Sequence, residues 1–137
     1  MAAVKFVEYS EASPEVREVY DDIMATRKIG WVNNFWKALA VQPELVQRTW
    51  NGVKEVMEPG TIDALTKEML YVAVSVSDGC TYCINSHTAA ARKKGMTDEM
   101  LSELMAVVAM ANQTNAMANG FQIEVDEVFR NGGGAPK

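Results

Sequence analysis

Thr61 to Lys94 reads TIDALTKEMLYVAVSVSDGCTYCINSHTAAARKK, and this stretch decides the fold. Its middle, VAVSV at 72–76, would suit a strand if taken alone. It continues TIDALTKEML without a break, however, and Leu65, Met69, Val72, Ala73 and Val76 recur at helical spacing. The pattern predicts a helix capped by Thr61 and running to about Ser77. From Leu70 onward, with Val74, apolar residues cover more than one face, which predicts a central, buried helix. Asp78-Gly79 is a break, so a second helix should run from Cys80 to Lys94 and be closed by Gly95.

The flanking sequence reads the same way. Ser13-Pro14-Glu15 offers a capping hydroxyl, a proline for the first turn and an acid at the positive end of the dipole. Val16, Val19, Tyr20, Ile23 and Met24 then form one apolar stripe, and Gly30 ends the segment. Trp31 to Ala40 predicts a short, very apolar helix or turn. Pro43 opens a further helix with Val46, Thr49, Trp50, Val53 and Met57 inward, stopped by Glu58-Pro59-Gly60. Thr97 caps another, with Met100, Leu101, Leu104, Met105 and Val108 inward. A final helix is expected to carry Met117, Phe121, Val125, Val128 and Phe129. The fold class is therefore all-α, a single domain of six or seven helices over 1–130, with NGGGAPK at 131–137 as a flexible tail.

Composition narrows the functional classes. At 137 residues the chain suits one domain, and 48% hydrophobic with 23% charged residues is globular. A net charge of -5 argues against nucleic acid as a partner, because phosphate binding needs clustered Lys and Arg. The one basic run, Arg92-Lys93-Lys94, reads as a complement to a helix C-terminus. No apolar run reaches membrane-spanning length, and the first residues lack a signal-peptide layout, so a cytoplasmic protein with no membrane partner is expected. In that compartment a CxxC pair is reactive or metal-binding rather than a permanent staple. Trp31, Phe35, Trp36 and Trp50 are expected to fill a core or an interface.

The chemistry concentrates between Glu68 and His87. Both cysteines, Cys80 and Cys83, the single histidine and a carboxylate fall within 20 residues. A CxxC at a helix start meets free amides and the positive end of the dipole, which stabilise a thiolate. The i, i+3 spacing puts both sulfurs on one face, near enough to close a disulfide. His87 continues the stripe one turn after Cys83, where it can take that thiol's proton. The helix terminus by itself favours Cys80 as the thiolate, whereas the histidine favours Cys83. A tight Asp-Gly turn between antiparallel helices would return Glu68 to the CxxC turn. Tyr82 could add a phenol as a candidate relay group. Two Cys and one His supply three of the four ligands a structural zinc site takes, with Glu68 as a possible fourth, and the histidine spacing differs from that of zinc sites, so no metal and no cofactor are expected.

Glu68, Cys80, Cys83 and His87 together spell E-x11-C-x2-C-x3-H. This resembles the alkylhydroperoxidase D-like proteins of the carboxymuconolactone decarboxylase superfamily. NNFWKALAVQPELVQRTW and ARKKGMTDEML are similar to the family's flanking segments, so the resemblance covers about Asn33 to Asn112. It implies an all-helical homo-oligomer, commonly a hexamer built as a trimer of dimers. It further implies hydroperoxide reduction through the two cysteines, recharged by a thiol reductant such as a lipoyl or thioredoxin-like protein. Under it, Cys83 attacks peroxide, Cys80 resolves, and Glu68 and His87 relay protons. The family's best-known relay has a second histidine where this chain has Tyr82. Two alternatives stand beside this reading: a lactone decarboxylase or isomerase using His87 and Glu68 as acid and base, and a non-enzymatic redox sensor.

Overall fold

The computed structural model describes residues 1–130, and the expectation for 131–137 lies outside them. Seven α-helices and one 3-10 turn make up the regular structure, with no strand among the described residues. The all-α reading holds, including over VAVSV, which lies inside a helix. None of these helices is long and apolar enough to cross a membrane. The chain divides into two compact units, one from Met1 to Glu58 and one beginning at Pro59.

In the first unit α1 (Pro14–Arg27) starts as the sequence dictates: the Ser13 hydroxyl accepts from the amide of Val16 at 3.4 Å, and proline fills the first turn. Its stripe of Val16, Val19, Tyr20 and Ile23 is buried. Against it pack α2 (Asn34–Leu39) and α3 (Pro43–Met57), which contribute Trp36, Val46 and Trp50 to one core. The two indoles meet edge to face, 5.4 Å between centroids. Asp22 joins α1 to α3 by accepting from the Trp50 indole at 2.6 Å and from Lys54 at 2.8 Å. The aromatic set divides: Trp36 and Trp50 are buried, whereas Trp31 and Phe35 are exposed on this chain.

The second unit contains α4 (Ala64–Asp78), α5 (Thr81–Lys93), α6 (Asp98–Gly120) and α7 (Glu127–Arg130). The cap of α4 is Asp63, not Thr61. Its carboxylate accepts from the Thr66 amide at 2.9 Å and from the Thr66 hydroxyl at 2.7 Å, a stronger cap than one threonine supplies. The expected all-round burial of α4 is also corrected. It packs on α5 and α6 and buries Glu68, Val72 and Ser75, while Leu70 and Val74 stay 52% and 60% exposed on this chain. Gly79 closes α4 in the left-handed region (φ 71°), which a glycine adopts without strain, and the Cys80 amide reaches back to the Ser75 carbonyl at 3.0 Å. Thr97 caps α6 as expected, its hydroxyl accepting from Met100 at 3.2 Å. Here α6 runs unbroken through Met117 to Gly120, because no glycine or proline interrupts it earlier. The final helix shrinks to four residues carrying Val128 and Phe129.

Candidate active site

The Gly79–Cys80 turn folds α5 back along α4, and that hairpin builds the site. Cys80 is the N-cap of α5, and its sulfur accepts from the Cys83 amide at 3.3 Å. The sulfur thus occupies the position where the terminal amides and the dipole favour negative charge. Cys80 and Cys83 are joined as a disulfide across a Cα separation of 5.3 Å, and both are half-buried. Both sulfurs thus lie on one face of the first turn, as their i, i+3 spacing predicts.

Across the hairpin, Glu68 is one of the few buried polar residues, 6% exposed. Its Oε2 lies 2.7 Å from His87 Nδ1. Burial alone would raise the Glu68 carboxyl, but the hydrogen bonds from His87 and Lys94, with the charge of Lys94, outweigh it and hold the group below the usual glutamate range. An ionised carboxylate only accepts, so Nδ1 carries a ring proton, and in the neutral ring the lone pair then lies on Nε2. The pair is therefore a base oriented by an anion, on the helix that carries the dithiol.

Two groups at the site escaped the sequence reading. Lys94 Nζ donates to Glu68 Oε1 at 3.1 Å, the oxygen left over by His87. The Tyr71 ring stacks on the imidazole, 3.7 Å between centroids and 16° between planes. Both had a signal. Tyr71 stands one turn after Glu68, and Lys94 lies two turns after His87 on the stripe of Cys80, Cys83 and His87. Tyr82, the candidate relay phenol, is exposed, and the aromatic ring on His87 is that of Tyr71. Among the described residues no group of three or more His, Cys, Asp or Glu is arranged to hold a metal ion.

Residues 43–124 match the model of the carboxymuconolactone decarboxylase family. The crystal structure of an alkylhydroperoxidase AhpD core from Rhodospirillum rubrum superposes with a TM-score of 0.91 at 50% identity, over 94% of this chain and 97% of that one. A protein of Paracoccus denitrificans, named "uncharacterized protein 4 in cox locus", is 35% identical over 77 residues, 55% of this chain and 69% of its own length. An alkyl hydroperoxide reductase of Mycobacterium tuberculosis is 28% identical over 119 residues; these are 82% of this chain and 34% of that longer protein.

Proposed function

The chain belongs to the carboxymuconolactone decarboxylase family, as an alkylhydroperoxidase D-like member, and on that premise we propose that it is a dithiol peroxidase. Cys83 and Cys80 reduce a hydroperoxide, and Glu68 and His87 move the protons. The observation that carries this reading is the Cys80–Cys83 disulfide at the first turn of α5, with the Glu68–His87 hydrogen bond on the same hairpin. A half-buried dithiol at a helix N-terminus beside an oriented base is what peroxide chemistry needs.

His87 takes the Cys83 proton. The thiolate attacks the terminal peroxide oxygen; an S–O bond forms and the O–O bond breaks. The leaving alkoxide takes the proton back from His87, giving an alcohol and a Cys83 sulfenic acid. Cys80 then attacks the Cys83 sulfur, and its thiol proton leaves with the displaced hydroxide as water. The resulting disulfide is the state of the structure. An external dithiol, lipoyl or thioredoxin-like, returns two electrons by exchange through a mixed disulfide. No metal enters the cycle, and a reducing cytoplasm suits the recharging step. The exposed Leu70 and Val74 of α4 and Val107 and Met110 of α6 support a homo-oligomer, with a hexamer as the expected size.

The Glu68–His87 pair would also serve an acid–base reaction without sulfur chemistry, as the family's decarboxylase name suggests. One experiment separates the readings: steady-state peroxide reduction with a panel of dithiol donors, for wild type, Cys80→Ser and Cys83→Ser. Turnover lost in both variants supports the dithiol cycle. Turnover that survives the loss of either cysteine rejects it, and wild type without turnover leaves the acid–base or redox-sensing reading in its place.

A further inference from the structure

Lys94 caps the C-terminal end of α5 and bonds the buried side of the relay. The Glu68 side chain is 9% exposed and that of Lys94 38%, so a buried carboxylate is balanced by a cation that still touches water. The surroundings leave few other means of balance. From α5, His87 and Lys94 bear on Glu68. The side chains that the first three turns of α6 bury or half-bury are Met100, Leu101, Leu104, Met105 and Val108, all apolar. On α4 itself, Tyr71 is engaged in stacking on the imidazole.

A carboxylate held between an imidazole and an ammonium has two ways to be neutralised. With the ammonium in place, the ring can stay neutral and keep its Nε2 lone pair. Without it, the carboxylate is balanced by holding the ring as imidazolium, which has no lone pair for a thiol proton. We propose that Lys94 is a positioning residue of this site: by pairing with Glu68 it keeps His87 in the neutral, proton-accepting form. One helix then carries the dithiol at its first turn and, at its last, the cation that sets the charge of the relay. This inference rests on the dithiol reading for its purpose, but its geometry is independent of turnover.

The test uses the chain's single histidine, whose ring signals need no residue assignment. Ring 15N shifts are followed against pH in the oxidised proteins: wild type, Lys94→Met and Lys94→Arg. In Lys94→Met the ring should take up its second proton roughly half to one pH unit higher than in wild type. That is the effect of losing a nearby opposite charge, reduced because Lys94 is partly exposed. In the reduced proteins the acid limb of cysteine alkylation by iodoacetamide should move with the ring. On that limb Lys94→Met should react about three- to tenfold more slowly. Lys94→Arg should restore both profiles, which a purely structural role for the lysine stem would not demand. Superimposable ring titrations in wild type and Lys94→Met overturn the proposal. So does faster alkylation in Lys94→Met, or an Arg variant that behaves like Met. A wild type that turns over no peroxide would remove the peroxidase reading only, since the ring titration of the oxidised protein does not depend on it.

Discussion

Glu68→Gln tests whether the buried carboxylate works as an anion. Glutamine keeps the size and one acceptor oxygen, so His87 Nδ1–H retains a partner. Its amide nitrogen, however, would face the Lys94 ammonium, donor against donor. Converting a charged hydrogen bond to a neutral one costs about 1 kcal/mol. The lost Lys94 bond adds roughly 0.5–1 kcal/mol, held low because that cation is partly exposed. The relief of burying an amide in place of a charge offsets part of this, but the depressed Glu68 carboxyl indicates that the bonds outweigh burial. The net expectation is about 1–2 kcal/mol of destabilisation at pH 7. The sign with pH follows from the direction of the shift. A carboxyl held lower in the folded state than in the unfolded chain stabilises the fold above the unfolded value, near 4.5. That contribution is lost as pH falls through the folded value. The stability gap between wild type and Glu68→Gln should therefore be full at pH 7 and close towards pH 3. Urea unfolding followed by circular dichroism, at one protein concentration and at pH 7, 5 and 3, measures it. A gap that stays constant across that range, or a Gln variant more stable at pH 7, would refute the reasoning.

Replacement of His87 by Ala should leave the helical spectrum intact and slow the reaction of reduced protein with peroxide about 10²–10⁴-fold near neutral pH, with the defect shrinking at high pH where water ionises the thiol unaided. Stopped-flow thiol oxidation against pH measures this, and an unchanged rate would remove His87 from the relay. Tyr71→Leu should cost roughly three- to tenfold by releasing the stacked ring, whereas Tyr82→Phe should cost little because a phenol stays protonated at pH 7. A larger loss in Tyr82→Phe would reverse that assignment. Light scattering at micromolar concentration should find a homo-oligomer, and Leu70→Glu with Val74→Glu should shift it towards smaller species; a clean wild-type monomer would contradict this.

What the sequence reveals divides by the kind of geometry involved. Contacts along one helix are arithmetic: the α1 stripe and the shared face of Cys80, Cys83 and His87 follow from a period of 3.6, and the Ser13 and Thr97 caps follow from a hydroxyl placed just before the stripe. Periodicity does not distinguish a core from an interface, so Leu70 and Val74 read as buried although on this chain they face outward. Nor does it mark the continuation of a helix where the apolar pattern lapses, so Met117 reads as part of a separate helix although it lies in α6.

The partners of Glu68 belong to a third class, set by a turn and a register. In an antiparallel hairpin, positions equidistant from the turn lie level. About Gly79–Cys80, Glu68 then falls level with Ala91, a fully buried residue whose methyl group leaves room across the helix pair. His87 stands one turn before Ala91 and Lys94 about one turn after it. That is why one carboxylate oxygen meets the imidazole and the other the ammonium. Read only along its own helix, Lys94 is a charge complementing the C-terminal dipole. Read across the hairpin, the same position makes it the counter-charge of the relay. The distinction depends on the register set by the turn at Gly79: one residue inserted within α5 ahead of His87 would turn both His87 and Lys94 by about 100° relative to Cys80 and Cys83 and carry them off the face that Glu68 presents.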